Sequence, residues 1–135
     1  MTKHQSPIHD YIELNEHFYA VYERAEVRAG LLAELAERLP QAHMVISCRY
    51  TCPDCARNVP RMARIAEYLP GWTWNLYDST ANPIRNEQLH VRRVPTFILY
   101  DQVGGSEIGR IIENPTYGSL EQDLLTIVQA HADAR

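Results

Sequence analysis

Two cysteines separated by two residues, in Arg49-Tyr50-Thr51-Cys52-Pro53-Asp54-Cys55, constrain this chain more than any other feature. They stand between an apolar run at residues 44–47 and a segment with helical periodicity. Thiols at i and i+3 fit the first turn of a helix, near enough to close into a small disulfide ring. A sulfur at the N-terminal member meets the helix dipole and unpaired backbone N–H groups, which favour negative charge. That lowers a cysteine below its free pKa of about 8.5 and makes it a nucleophile near neutral pH. The rest of the chain reads as the scaffold for this pair.

The chain can build that scaffold as a single domain over residues 1–135, with 45% apolar and 22% charged side chains. Thirteen basic against seventeen acidic residues give a net charge of −4, which argues against nucleic acid or an anionic membrane as a general partner. The opening residues Met1-Thr2-Lys3-His4-Gln5-Ser6-Pro7 carry no apolar core of a signal peptide. No run approaches the ~18 apolar residues of a membrane helix. Three cysteines are too few for a disulfide framework, and a CxxC beside a strand–helix pattern reads as redox. The expected location is cytoplasmic.

Ser6-Pro7 suits a helix cap followed by proline at the first position. Tyr11, Leu14, Phe18, Tyr22 and Ala25 then recur at spacings of three and four, as one face of an amphipathic helix. Leu31, Leu32, Leu35 and Leu39 make a second stripe that Pro40 ends, so residues 1–40 form an N-terminal helical segment. Its aromatics read as packing against the domain, with a dimer contact or a substrate surface as the alternatives. Residues 44–47 are a buried strand, and residues 55–69 a helix with a kink expected at Pro60. A second strand follows at 72–77, a short helix from Asn82-Pro83 to about His90, and a third strand at 96–100. Gly104-Gly105 turns the chain into a fourth strand at 107–113, and Ser119-Leu120-Glu121-Gln122 opens the last helix as a capping box. The first two strand pairs flank helices and are expected parallel; the last two strands form a hairpin. The fold class is α/β: a three-layer sandwich with a four-stranded mixed sheet and helices on both faces.

Over roughly residues 43–133 the sequence resembles the thioredoxin-fold disulfide oxidoreductases. Three features carry the resemblance: Cys52-Pro53-Asp54-Cys55 at a strand–helix junction, Pro60 five residues beyond, and Val94-Pro95-Thr96 entering the third strand. The resemblance implies that Pro95 is cis and lies against the cysteine pair, with Val94 presenting its backbone to a bound peptide. Two departures stand out. Thr51 occupies the place where thioredoxins usually have tryptophan, and Ile46 the place of their buried acid, the proton acceptor for the second thiol. The Cys-Pro-Asp-Cys form is similar to tryparedoxin-related reductases. Asp54 then either takes over proton handling or merely favours the helix N-terminus.

The expected roles follow. Cys52 attacks and Cys55 resolves the mixed disulfide, so the chain acts as a protein-disulfide reductase whose only redox group is the Cys52–Cys55 disulfide. Its partners would be disulfide-containing proteins and a reductase or dithiol donor. The rival readings of the pair are inert thiols or half of a zinc site. Arg49, Arg57, Arg61, Arg92 and Arg93 flank the two motifs and would select an acidic substrate or the carboxylates of glutathione, or are ordinary solvated side chains. Arg49 matches a cation that glutaredoxins place three residues before their first cysteine, which keeps glutathione-dependent deglutathionylation as an alternative. A non-catalytic binding module is a third. Cys48 with Cys52 and Cys55 has the spacing of an iron–sulfur site, but reads better as a small buried residue at a strand end, or as a third oxidisable thiol. The six histidines (His4, His9, His17, His43, His90, His131) show no metal-ligand pairing.

Overall fold

The structure, a computed structural model, describes residues 6–134, so the expectations for residues 1–5, His4 included, lie outside it. Three helices come first: α1 (Pro7–Glu13), α2 (Glu16–Arg24) and α3 (Ala29–Arg38). Then follow β1 (Ala42–Cys48), α4 (Pro53–Ala66), β2 (Trp72–Asp78), α5 (Pro83–Gln88), β3 (Thr96–Tyr100), β4 (Glu107–Ile112) and α6 (Leu120–Asp133). The strands form one mixed sheet in the order β2-β1-β3-β4.

The first amphipathic stripe is two helices rather than one. Asn15 caps α2, its side-chain oxygen accepting from the Phe18 N–H at 3.0 Å. A cap residue needs non-helical backbone, so the chain breaks there and Leu14, expected on the buried face, is left 82% exposed. The last helix is capped as expected at Ser119, which accepts from the Gln122 N–H. Gln122 itself does not reach back, bonding Thr126 instead, so only half of the capping box forms.

Strand direction brings a second correction. β1 and β2 are parallel, but β3 runs antiparallel to β1, where a parallel crossover was expected. The reason is length. A six-residue helix such as α5 spans about 9 Å, whereas a return to the far end of a five-residue strand needs about 17 Å. The chain therefore re-enters the sheet at the end it left, with Thr96 opposite Ser47 and Asp78 opposite Cys48. That reversal brings residues 94 and 95 to the end of β1 from which the cysteine motif departs.

Alternate residues of the sheet point to one side and build the main core: Met44, Ile46 and Cys48 of β1, Trp72 and Trp74 of β2, Phe97 and Leu99 of β3. Helices α4 and α6 contribute Val59, Met62, Ile65, Leu124 and Val128 to the same core. The N-terminal helices complete it. α2 packs along α4, α3 on α6, and α1 against α4 and β2, burying Ile8, Ile12, Phe18, Leu32 and Leu35. The opposite face is thinner, carrying the α5 segment, where Asn86 accepts from the Ser47 and Tyr77 hydroxyls. A polar clamp ties the N-terminal helices down: Glu67 accepts from the Tyr22 hydroxyl and meets His9 at 3.0 Å. His9 is the one buried histidine among the described residues.

Candidate active site

Local chemistry fixes the start of α4. Cys52 is its N-cap in extended backbone, and Pro53 takes the first helical position, where a missing N–H costs nothing. The Cys52 Sγ accepts from the Cys55 N–H at 3.4 Å, so the sulfur itself serves as the capping group. A negative charge on that sulfur faces the positive end of a fourteen-residue helix. Opposite it, the Cys52 thiol donates to the Val94 carbonyl at 3.4 Å, and the Val94–Pro95 peptide is cis. The Pro95 carbonyl is engaged by the Glu113 N–H at 2.7 Å, which fixes this turn to the end of β4.

The two motif thiols occupy different surroundings. Cys52 is 8% exposed, at the rim, while Cys55 is fully buried beneath it. Burial pushes the Cys55 thiol up, a main-chain hydrogen bond from Arg49 pulls the other way, and neighbouring Cys52 and Cys48 oppose its ionisation. Cys48, at the end of β1 and also fully buried, is pushed up to about 12, chiefly by burial. All three cysteines are free thiols.

Asp54 lies on the outer side of the helix start. A hydrogen bond from Arg57 holds its carboxyl below the usual range, and Asn114 adds to this. Arg57 also donates to Asn114 at 3.0 Å, and buried Asn58 donates to the Glu113 carbonyl at 2.8 Å, so α4 is laced to the segment after β4. Arg61 is likewise engaged, by the Glu26 carbonyl. Arg49, Arg92 and Arg93 behave differently. With Val94 they line a small cavity of about 130 Å³ beside the cis peptide, and Arg93 pairs with Glu113 at 3.1 Å. The structure thus gathers Cys52, Cys55, Pro53, Val94 and Pro95 at one point, with Arg49 and Arg93 at its edge.

Sequence reasoning missed the aromatic wall behind the pair. Tyr50 stacks on Tyr11 of α1 with centroids 4.2 Å apart, and Phe18 meets both rings edge-on. The Tyr50 hydroxyl donates to the Tyr11 carbonyl. Proximity of Tyr50 to the motif was the one available signal; nothing local points from there to Tyr11. Among the described residues no three His, Cys, Asp or Glu side chains are arranged to hold a metal ion, Cys48, Cys52 and Cys55 included. No described helix is long and apolar enough to cross a membrane.

Comparison with known proteins agrees with this fold. A Pseudomonas aeruginosa protein of unknown function superposes with a TM-score of 0.55 at 15% identity, over 96% of this chain and 99% of that one. Fasciola hepatica thioredoxin does so with a TM-score of 0.53 at 21% identity, over 76% and 92%. Mitochondrial thioredoxin 3 of Saccharomyces cerevisiae gives 0.52 at 18%, over 82% and 98%. These likenesses are of fold. No curated protein matches by sequence. A family model described as thioredoxin matches residues 1–120, and the chain belongs to the thioredoxin family.

Proposed function

We propose that this protein is a thiol–disulfide oxidoreductase that reduces disulfides of proteins or small molecules through Cys52 and Cys55. One observation carries the reading: a rim sulfur caps a helix start, receives the Cys55 N–H, and lies against the carbonyl before a cis proline. The Cys52 thiolate attacks a substrate sulfur and forms a mixed disulfide, and the substrate's other sulfur leaves as a thiolate. Cys55 then attacks the Cys52 sulfur, closes the ring and releases the reduced product. Electrons return from a reductase or a dithiol partner, and no further cofactor is needed. In a reducing cytosol the chemistry runs toward substrate reduction.

Val94 is the substrate-binding residue in this scheme. Its backbone sits beside Cys52 and can pair with an extended substrate segment. The cavity edged by Arg49, Arg92 and Arg93 favours substrates with acidic groups, a selective feature on a protein of net charge −4. Asp54 either accepts the proton of the second thiol or only favours the helix start. The same arginine-lined cavity favours a second reading, in which the carboxylates of glutathione occupy it and the chain removes glutathione from mixed disulfides.

Serine substitution tests these roles. Cys52→Ser is expected to abolish disulfide reduction, while Cys55→Ser is expected to accumulate a mixed disulfide on Cys52, seen by mass spectrometry. Full turnover in Cys52→Ser would overturn the mechanism. Glutathione-linked turnover that survives Cys55→Ser would select the second reading.

A further inference from the structure

Val94, the residue assigned above to pair with substrate, is tied to α4 by a strap that the reaction as written does not use. The strap is centred on Glu113, the first residue beyond β4. Glu113 is not glycine, yet its φ is 66°, and the Asn114 N–H donates to the Ile112 carbonyl across it at 2.8 Å. That is a three-residue turn of the rare, strained kind. It aims the two main-chain groups of Glu113 at different partners. The N–H donates to the Pro95 carbonyl at 2.7 Å, and the carbonyl accepts from the Asn58 side chain at 2.8 Å. Asn58 is buried on α4, one turn beyond Cys55, and also donates to Asn114 Oδ1 at 2.9 Å. A path of hydrogen bonds thus runs from the helix that begins at the two thiols, through Glu113, to the turn that carries Val94.

The direct contact between Cys52 and Val94 cannot hold through the whole cycle. The Cys52 thiol donates to the Val94 carbonyl at 3.4 Å, and that bond needs the thiol proton. The proton goes to solvent before Cys52 attacks. In the mixed disulfide the Cys52 sulfur is bonded to the substrate sulfur and has no hydrogen to donate. The strap survives both changes, because no group in it takes part in the chemistry.

We propose that Glu113 and Asn58 are positioning residues that hold the Val94 backbone at pairing distance from Cys52 while its sulfur is a thiolate or is bonded to substrate. The partner this edge takes is an extended peptide segment beside the substrate disulfide, joined to it by main-chain hydrogen bonds. This rests on the oxidoreductase reading above. The conformation of Glu113 fits the role. A left-handed residue other than glycine persists where its surroundings over-determine it, and here its N–H, its carbonyl and its carboxylate, on Arg93 at 3.1 Å, are all engaged.

The test compares two substrates of the full chain: a peptide disulfide, whose main chain can pair with Val94, and a small aromatic disulfide, which has no main chain to pair. The readout is the ratio of their kcat/KM values, since a loss of fold alone slows both together. Asn58→Ala is expected to lower the ratio, peptide over aromatic, about tenfold, with the loss carried by KM for the peptide. Glu113→Val, which cannot keep the left-handed turn without strain, should reproduce that fall. Glu113→Gly keeps the turn without the carboxylate and should recover the ratio to within about twofold of wild type. Tyr22→Phe, which loses its bond to Glu67 in the clamp away from the site, should leave the ratio in place. An unchanged ratio in either Asn58→Ala or Glu113→Val would overturn the proposal, and each decides alone should the other fold poorly. An equal fall in Tyr22→Phe would overturn it too, as would a ratio in Glu113→Gly as low as in Glu113→Val, which would assign the effect to the carboxylate. A wild-type protein that reduces neither disulfide would overturn the oxidoreductase reading itself, a different result from normal reduction whose ratio is indifferent to the strap.

Discussion

Cys52 and Cys55 sit one helical turn apart, yet the two sides of that turn are built from different parts of the chain. The outer side is local and polar. Cys52 caps its own helix, Asp54 pairs with Arg57 three residues on, and the rim is finished by the segment around Val94. The inner side is remote and apolar. Cys55 and Cys48 are fully buried in the core, with Tyr11 of α1 near them and Phe18 of α2 edge-on to the Tyr11 ring. The difference teaches how one turn of helix can hold two thiols for two tasks. The rim sulfur is set at a helix start beside the cis peptide, and burial beneath it favours the neutral thiol at Cys55.

The largest effects should come from breaching the inner wall. Phe18 is fully buried against Tyr11 and Tyr50, so Phe18→Ala is expected to lower stability by about 3–5 kcal/mol in a denaturant titration. A loss below about 1 kcal/mol would mean that the N-terminal helices are not part of that wall.

Alkaline pH probes the same region more gently. In the reduced protein Cys48 is raised from an ordinary 9.0 to about 12, so the unfolded chain ionises first. The stability this contributes is complete below about pH 9 and is lost as pH rises toward about 12. Melting temperature should therefore fall across that window, and Cys48→Ala should make the fall shallower. An identical slope in the variant would show that Cys48 does not titrate differently in the two states.

The smallest effect belongs to the outer side. Arg57→Ala should release the Asp54 carboxyl toward its ordinary value of 3.8, read as an upward shift in an NMR titration. An unmoved titration would remove Arg57 as the partner that holds it.

The same division explains what the sequence disclosed. The motif, the proline behind it and Val94-Pro95 are short-range signals, and they located the outer side, the start of α4 and the cis peptide. Ser119 likewise announced α6 through its cap. The direction of β3 was misread because a strand–helix–strand pattern suggests a crossover, and only the length of α5 says otherwise. Asn15 before Glu16 was a legible cap, outweighed by an apolar stripe that continued through it. Tyr11 beside Cys48 was not legible at all. The two residues lie far apart in the chain, and helical periodicity marks Tyr11 as buried without saying against what.

The central claim is that Cys52 and Cys55 form one redox couple while Cys48 stands apart from it. An equilibrium titration in a thiol–disulfide buffer, with free thiols alkylated and assigned by peptide mass mapping, tests it directly. The account predicts that Cys52 and Cys55 lose alkylation together as a single two-electron couple, with Cys48 reduced throughout. Absence of a Cys52–Cys55 disulfide at any potential would contradict it.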